Sequence, residues 1–231
     1  MSTEKTMSFL DHFGELRIRL LKAVGAIFVC TIISFALTDR IIQFLTVPIG
    51  GMEQLQSIEM TENISVYMRV SLLSGFIIAF PIVFYQLLAF ILPGLTKIEK
   101  RWILLSVPFA TLLFLSGVAF AYYFMLPTAV PFLVGFLGIP TIPRLSNYIN
   151  FVTNLVFWIG ISFEAPLVVF ILAKFKLISA KTLASQWRVA IVIIAVLAAL
   201  VSPTVDPINM GLLMLPLTFL YLVSILLAFL A

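Results

Sequence analysis

The amino-acid sequence predicts an all-α integral membrane protein with six transmembrane helices. Of its 231 residues, 62% are hydrophobic and only 10% are charged, and the mean hydropathy is +1.19. A soluble domain of this length cannot bury so much apolar surface in one core. Because a spanning helix needs about 20 apolar residues, the chain has room for roughly five to seven spans and for short loops. We therefore expect a single membrane domain over residues 1–231.

Apolar runs separated by short polar stretches place the helices in order along the chain. The first four runs are long enough to cross a bilayer. The fifth is only 13 residues long and the sixth contains Pro216, so we expect the last two helices to be short. Pro81 and Pro166 predict bends, which should give the bundle a concave shape. The predicted spans are residues 20–38, 66–92, 102–126, 148–173, 189–201 and 208–230.

Basic residues are distributed unequally between the two sides of the predicted bundle. Eleven Lys and Arg residues fall in the N-terminal tail and in the loops after the second and fourth spans. The opposite loops hold Arg40 and Arg144, and Arg69 lies just inside the second helix. The positive-inside rule therefore predicts that both termini are cytoplasmic. A cleaved signal peptide is the weaker interpretation of the first run, because acidic residues precede it and its apolar stretch is long.

The two longer loops on the other side are predicted to be compact caps, since prolines and glycines fix turns there. They cover residues 39–65 and 128–147. Pro131 in the second loop is expected to lie in such a turn. The loop between the last two helices is minimal, which predicts a tight hairpin.

Composition also excludes several classes of function. One histidine and one cysteine cannot form a Cys/His zinc site or a disulfide framework, so we expect no metal and no cofactor. The net charge of +4 comes from basic residues spread along the chain, and nucleic acid is not an expected partner. A phosphate-binding lysine motif and a nucleophile triad are both missing from the sequence. We therefore expect that the protein is not an enzyme.

Three acidic side chains occupy positions where a cationic or membrane-inserted ligand would need them. Glu15 lies on an amphipathic stretch over residues 8–20, although its spacing to Arg19 is equally typical of an ordinary helix-stabilising pair. Glu99 stands immediately before the third helix, in a pattern, Thr96-x-x-Glu99, that is also typical of a capping box. Glu164 is predicted at membrane depth, where a charge costs about 2.5–3.5 kcal/mol. Either a polar contact between helices or a proton relay would explain it.

The tail before the first span carries a distinctive motif, Phe9-Leu10-x-His12-x-x-Glu15-Leu16-Arg17-x-Arg19. Further fragments follow in order and at regular spacing along the chain. They are Pro48, Thr61-Glu62, residues 81–86, Phe90-Ile91-x-Pro93-x-Leu95-x-x-x-Glu99-x-Arg101, residues 119–122, residues 160–164 with Pro166, and Pro203 with Asp206. Together they resemble the TatC family, the multispanning core subunit of the twin-arginine protein translocase.

The resemblance implies a receptor in the prokaryotic inner membrane. It would bind the twin-arginine signal peptides of folded proteins at its cytoplasmic face. It would also work with the single-span partners TatA and TatB in a multimeric complex, surrounded by lipid and driven by the protonmotive force. The residues that the resemblance assigns to signal-peptide binding are Glu15 and Glu99, with Leu16, Arg17, Phe90, Pro93 and Leu95 around them.

The resemblance also implies contacts for the inserted helices of partners. Glu164 matches a polar position on the concave face, and Met210 stands near the start of the sixth helix where relatives often have a glutamine. Pro48, Tyr122 and Asp206 are expected to be structural or functional loop positions. Asp206 also fits an N-cap before a first-turn proline, and Tyr122 fits an interfacial anchor.

A different class of function stays open at this point. Glu164 would serve as the coupling site of a proton-coupled secondary transporter for small solutes. Such transporters are commonly built from repeats that are visible as hydropathy symmetry. We find no such symmetry between the halves of this sequence.

Overall fold

A computed structural model of the chain describes residues 9–91, 97–135, 141–201 and 207–230. Within these ranges the chain is helical and contains no β-strand, as the sequence predicts. Short 3-10 helices follow α2 at Val47–Ile49 and Met52–Gln54, and a π-helical turn at Ala121–Met125 joins α4 to α5. The α-helices are α1 (Phe9–Phe35), α2 (Thr38–Thr46), α3 (Glu62–Ile91), α4 (Lys97–Phe120), α5 (Leu126–Gly135), α6 (Leu145–Ser162), α7 (Ala165–Lys174), α8 (Ala180–Ser185), α9 (Trp187–Val201) and α10 (Pro207–Leu230).

Among the described residues, five helical stretches are long and apolar enough to cross a membrane. With 15 residues α9 is shorter, as expected, but α10 continues through Pro216 for 24 residues. Of the last two helices, α9 is therefore short and α10 is not. The five stretches are Phe13–Phe35, Glu62–Phe90, Leu104–Gly135, Leu145–Lys174 and Leu213–Leu230.

Several helices run further than the hydropathy pattern predicts. The amphipathic stretch at the N-terminus continues into the first span as one helix, so it is not a separate surface helix. Pro131 lies inside α5 rather than in a turn. A break does occur beside Pro166, where α6 ends and α7 begins after Glu164. Pro81, in contrast, lies inside the continuous α3.

The helices α1 and α3 pack closely through small and hydroxyl-bearing residues. A Cβ atom added to Gly75 would lie only 2.6 Å from the Cα atom of Thr31. Further along the same interface, the hydroxyls of Ser34 and Ser74 form a hydrogen bond. Because lipid removes the hydrophobic drive for helices to associate, such close contacts and hydroxyl bonds hold them together. This pairing fixes the start of α1 against the end of α3.

The helix α6 lies at the centre of the core. Its residues Ile149, Val152, Leu155 and Ile159 are at most 1% exposed. It packs on α3 and α4, and to a lesser extent on α9 and α10. A Cβ atom added to Gly160 would lie 2.8 Å from Cε2 of the Phe114 ring, so the crossing with α4 requires glycine there.

The bundle has two distinct ends. We call the end that holds the start of α1, the end of α3, the start of α4 and the end of α7 the basic end, because its cations include Arg19, Arg101 and Lys174. The opposite end, the capped end, holds α2, the 3-10 helices, the start of α3, the π turn and the start of α6. Two backbone hydrogen bonds join the loop before α3 to the segment that leads into α6. Gln56 N donates to Pro143 O at 3.1 Å, and Leu145 N donates to Gln56 O at 2.9 Å.

Candidate functional site

The carboxylate of Glu15 lies at the basic end and is only partly paired. Its Oε1 accepts hydrogen bonds from Arg19 Nε at 3.3 Å and Nη2 at 3.0 Å. Arg19 Nη1 also donates to Gln86 Oε1 at 3.3 Å, which ties the pair to α3. The Oε2 atom of Glu15 has no hydrogen-bond partner among the described residues. Since a carboxylate has about four acceptor sites, Glu15 retains acceptor capacity; the Oε2 atom is buried, while 19% of the side chain stays exposed.

The structure brings part of the predicted signal-peptide site to this end. Leu16 and Arg17 are exposed on α1 beside Glu15. Phe90 is half-buried one helical turn beyond Gln86, near the end of α3. The backbone of Glu99 lies in the first turn of α4. The side chain of Glu99 and all of Pro93 and Leu95 lie outside the described residues.

A second carboxylate, that of Glu164, lies between α6 and α7 and is 6% exposed. Neither of its oxygens has a hydrogen-bond partner among the described residues. The hydroxyls of Ser162 and Thr153, which are candidates for a helix-locking contact, donate at 2.7 Å to the carbonyls of Trp158 and Ile149. The predicted locking contact is therefore not made through these hydroxyls. A proton relay through Glu164 stays a prediction.

Glu164 lines a cavity of about 630 Å³ between α6, α7, α9 and α10. The lining is mostly apolar. The hydroxyl of Tyr221 donates to the Leu183 carbonyl at 2.6 Å, and that of Ser224 donates to the Leu220 carbonyl at 2.7 Å. Because these hydroxyl protons are already used, neither hydroxyl donates to the carboxylate of Glu164.

At the capped end, the carboxylate of Glu62 is fully paired. Its Oε1 accepts from Ser146 N at 2.7 Å. Its Oε2 accepts from Ile58 N at 2.9 Å, Glu59 N at 3.3 Å and Arg144 Nε at 3.1 Å. Arg144 Nη2 lies 2.8 Å from Glu59 Oε1, and hydrogen bonds to Glu59 and then to Glu62 raise the pKa of Arg144. We call these five residues the Glu62 clasp, which joins the loop before α3 to the start of α6.

Sequence reasoning missed the Glu62 clasp. In the sequence, Glu62 stands out only as part of the Thr61-Glu62 fragment. Arg144 stands out only as one of the few cations on its side of the bundle. The two are 82 residues apart, and their pairing depends on how the capping loops fold together. The sequence feature that points to this pairing is Arg144 itself, one of the few cations on its side of the bundle.

The remaining residues that the sequence singles out lie within helices or helical turns wherever the structure describes them. Tyr122 is buried rather than placed at a lipid-facing surface, and its hydroxyl donates to the Phe44 carbonyl at 2.7 Å. Pro48 lies in the 3-10 helix Val47–Ile49. Met210 is half-buried near the start of α10 and packs against the core around α6. Asp206 lies outside the described residues. Within the described part of the chain, no cluster of three or more His, Cys, Asp or Glu residues has metal-site geometry.

Comparisons with known proteins give a consistent result. The sequence profile described as "Sec-independent protein translocase protein (TatC)" matches residues 11–216. The TatC protein of Carboxydothermus hydrogenoformans is 33% identical over 97% of this chain and 94% of its own length. The chloroplastic TATC of Arabidopsis thaliana is 34% identical over 95% of this chain and 65% of its own length. A crystal structure of the twin arginine translocase receptor TatC superposes with a TM-score of 0.84 at 35% identity, covering 95% of this chain and 98% of the other.

Proposed function

This chain belongs to the TatC family of Sec-independent protein translocase proteins, and from that premise we propose that it is the receptor for twin-arginine signal peptides. In this role it binds the signal peptides of folded proteins and nucleates a translocase complex. The apolar helices and the family agree with a multi-pass membrane protein that takes part in protein transport. A solved relative is itself described as a twin arginine translocase receptor, which supports the assignment.

The proposed topology has six spans, a concave inner face and both termini in the cytoplasm of a prokaryotic cell. The basic end then faces the cytoplasm, in agreement with the positive-inside rule. The sixth span in this count is α9, whose 15 residues cover about 22 Å of a hydrocarbon core about 30 Å thick. Local bilayer thinning or packing against α10 accommodates such a mismatch at a modest cost.

The observation that carries the proposal is the unused acceptor capacity of Glu15. Its Oε1 is occupied by Arg19, which Gln86 holds in place, and its Oε2 is unpaired. A guanidinium group can bind a carboxylate in a planar, directional contact that an ammonium group cannot reproduce. We propose that one arginine of the signal peptide binds Glu15 and the other binds Glu99. The exposed Arg17 beside Glu15 repels cations that approach in the wrong place.

The apolar part of the signal peptide then inserts along the concave face toward Glu164. There the unpaired carboxylate would accept a hydrogen bond from a polar group on an inserted helix, supplied by the signal peptide or by a single-span partner such as TatA or TatB. The region around Met210 would dock a partner helix in the assembled, multimeric complex. The buried, unpartnered oxygens of Glu164 support this role, since an unsatisfied buried group costs stability unless a ligand completes it. The protonmotive force supplies the energy.

The cavity beside Glu164 favours one alternative function, a proton-coupled transporter for small solutes. In that case Glu164 takes up a proton with each solute and Glu15 has no role in recognition. Flux of protons into vesicles that contain only this protein, dependent on Glu164, would favour the transporter. The unpaired oxygen of Glu15 at the basic end favours the receptor.

Peptide binding to the purified protein tests the proposal. Fluorescence anisotropy should show that Glu15→Ala and Glu99→Ala each weaken a twin-arginine peptide by roughly tenfold or more, since a charge-assisted hydrogen bond contributes about 1.5–3 kcal/mol. A twin-lysine peptide should bind as weakly to the unaltered protein. Glu53→Ala is the matched control, because Glu53 is an exposed carboxylate at the capped end. Equal affinity in both site variants, or equal binding of the lysine peptide, would overturn the site assignment.

A further inference from the structure

A second concave feature lies at the basic end, on a different side of the bundle from the Glu164 cavity. It is a groove of about 490 Å³ between α4, α7 and α10. Apart from Ser106 and Lys174, every residue that lines it is apolar. Leu105 and Phe109 are half or more exposed, so the groove opens to the surface of the helix bundle. The apolar lining includes Leu105, Phe109 and Leu113 of α4, Phe170 and Ile171 of α7, and Leu227 of α10.

Two cations lie at one end of this groove. Lys174 is the last residue of α7 and lines the groove itself. Arg101 is exposed on α4 one helical turn before Leu105, and so continues the stripe that Leu105 and Phe109 form at a spacing of four residues. Because α4 begins and α7 ends at the basic end, both cations are at the same level. Lys176, two residues beyond Lys174, adds a third exposed cation.

We propose that this groove binds an anionic phospholipid. One acyl chain fills the apolar groove, and Arg101 and Lys174 hold the phosphate. In a membrane the groove faces hydrocarbon rather than water, and its charged end lies where lipid headgroups begin. Basic side chains at that level attract anionic lipids, and a guanidinium with an ammonium suits a phosphate. Glu15 does not line the groove, so the site goes beyond the role in signal recognition, although Arg101 is only two residues from Glu99.

The dimensions and charge of the groove favour lipid over a peptide helix. The α4 side of the groove extends from Leu105 to Leu113, which at 1.5 Å per residue is about 12 Å. A spanning helix needs a contact surface closer to the full 30 Å of the hydrocarbon core, whereas part of one acyl chain fits this length. The cations at the open end would also repel the arginine pair of a signal peptide.

Native mass spectrometry of the purified full chain tests the proposal with phosphatidylglycerol and phosphatidylcholine of identical acyl chains. We expect the unaltered protein to retain phosphatidylglycerol roughly tenfold more strongly, since basic side chains near the headgroups attract anionic lipid. The double variant Arg101→Gln/Lys174→Gln should lose most of this preference. The matched control is Lys181→Gln/Arg188→Gln, which removes the same charge from exposed residues that do not line the groove.

Equal loss of the preference in both double variants would mean that net charge alone attracts the lipid, and would overturn the site. So would a preference that survives in the groove variant. A photocrosslinker in place of Phe109 gives an independent readout. We expect it to label phospholipid in native membranes. Labelling of a signal peptide or of a single-span protein instead would show that a helix occupies the groove. Binding of the signal peptide at Glu15 is measured separately, so the two proposals can fail independently.

Discussion

The carboxylates at the two ends of the bundle differ in how completely they are paired. At the capped end, Glu62 accepts four hydrogen bonds, three from backbone N–H groups and one from Arg144. Toward the basic end, one oxygen of Glu15 and both oxygens of Glu164 have no partner within the described residues. A paired carboxylate stabilises the fold, whereas an unpaired buried one costs about 1–3 kcal/mol. The comparison indicates that Glu62 has a structural role, and it agrees with our proposal that Glu15 and Glu164 bind a ligand.

The position of each residue relative to the helix ends explains the difference. The first N–H groups of a helix have no intrahelical acceptor. Glu62 begins α3, and its carboxylate accepts from Ile58 N and Glu59 N in the preceding loop and from Ser146 N in the first turn of α6. Glu15 lies within α1, where backbone donors are already used. Glu164 follows the end of α6, and its own N–H donates to Ile161 O at 3.0 Å.

The largest effect on stability is expected from Glu62→Gln. The amide cannot accept from all four donors, and it leaves Arg144 without its buried partner. We expect the melting temperature in detergent to fall by roughly 5 °C or more, since a chain of this size loses a few degrees for each kcal/mol. The fraction that remains folded should bind the signal peptide normally. A variant that melts like the unaltered protein would remove the distinction between the two kinds of carboxylate.

Replacement of Glu164 by leucine should change the melting temperature in the opposite direction. Glu164→Leu removes a buried group that has no partner and adds apolar surface, so we expect the melting temperature to rise by a few degrees, corresponding to about 1 kcal/mol or more. Transport of a twin-arginine substrate in cells should be lost at the same time. Glu164→Gln, which keeps the shape of the side chain, is the control and should give a smaller rise. A fall in melting temperature with Glu164→Leu would mean that the carboxylate is part of the structural framework.

The smallest effect is expected from Glu59→Gln. Glu59 is 2.8 Å from Arg144, but 63% of its side chain is exposed. Exposed ion pairs contribute about 0.2–1 kcal/mol and are screened by salt. We therefore expect a small loss of stability that disappears at high ionic strength. A loss as large as that of Glu62→Gln would show that Arg144, rather than the pairing of Glu62, sets the stability of the capped end.

Much of the fold could be predicted from hydropathy, because lipid allows little besides apolar helices to cross a membrane. Hydropathy fails to predict where a helix ends when that helix continues beyond the apolar run of the sequence. Pro131 lies inside α5, and whether a membrane helix tolerates a proline depends on how its surroundings satisfy the freed backbone groups, which a local pattern cannot reveal. The predicted bounds of the sixth span, residues 208–230, agree with α10, but Pro216 does not interrupt that helix.

For the candidate sites, contacts within one helix could be predicted from the sequence, whereas contacts between distant segments could not. Glu15 and Arg19 form the ion pair that their spacing predicts, because that pair is local to one helix. The contact from Arg19 to Gln86 and the pairing of Glu62 with Arg144 join distant segments, so they emerge only from tertiary structure. The depth of Glu164 followed from its place in the fourth apolar run. Its lack of a partner could not be predicted without the positions of neighbouring hydroxyls.

The most direct test of the receptor assignment is a double-mutant cycle between Glu15 and the arginine pair of a bound signal peptide. Glu15→Gln in the protein is combined with replacement of each peptide arginine in turn by citrulline, which keeps the shape and removes the charge. Titration calorimetry gives the four affinities for each cycle. If Glu15 binds one guanidinium, its coupling energy with that arginine should be about 1 kcal/mol or more, and its coupling with the other should be smaller. Coupling energies indistinguishable from zero with both arginines would contradict the account.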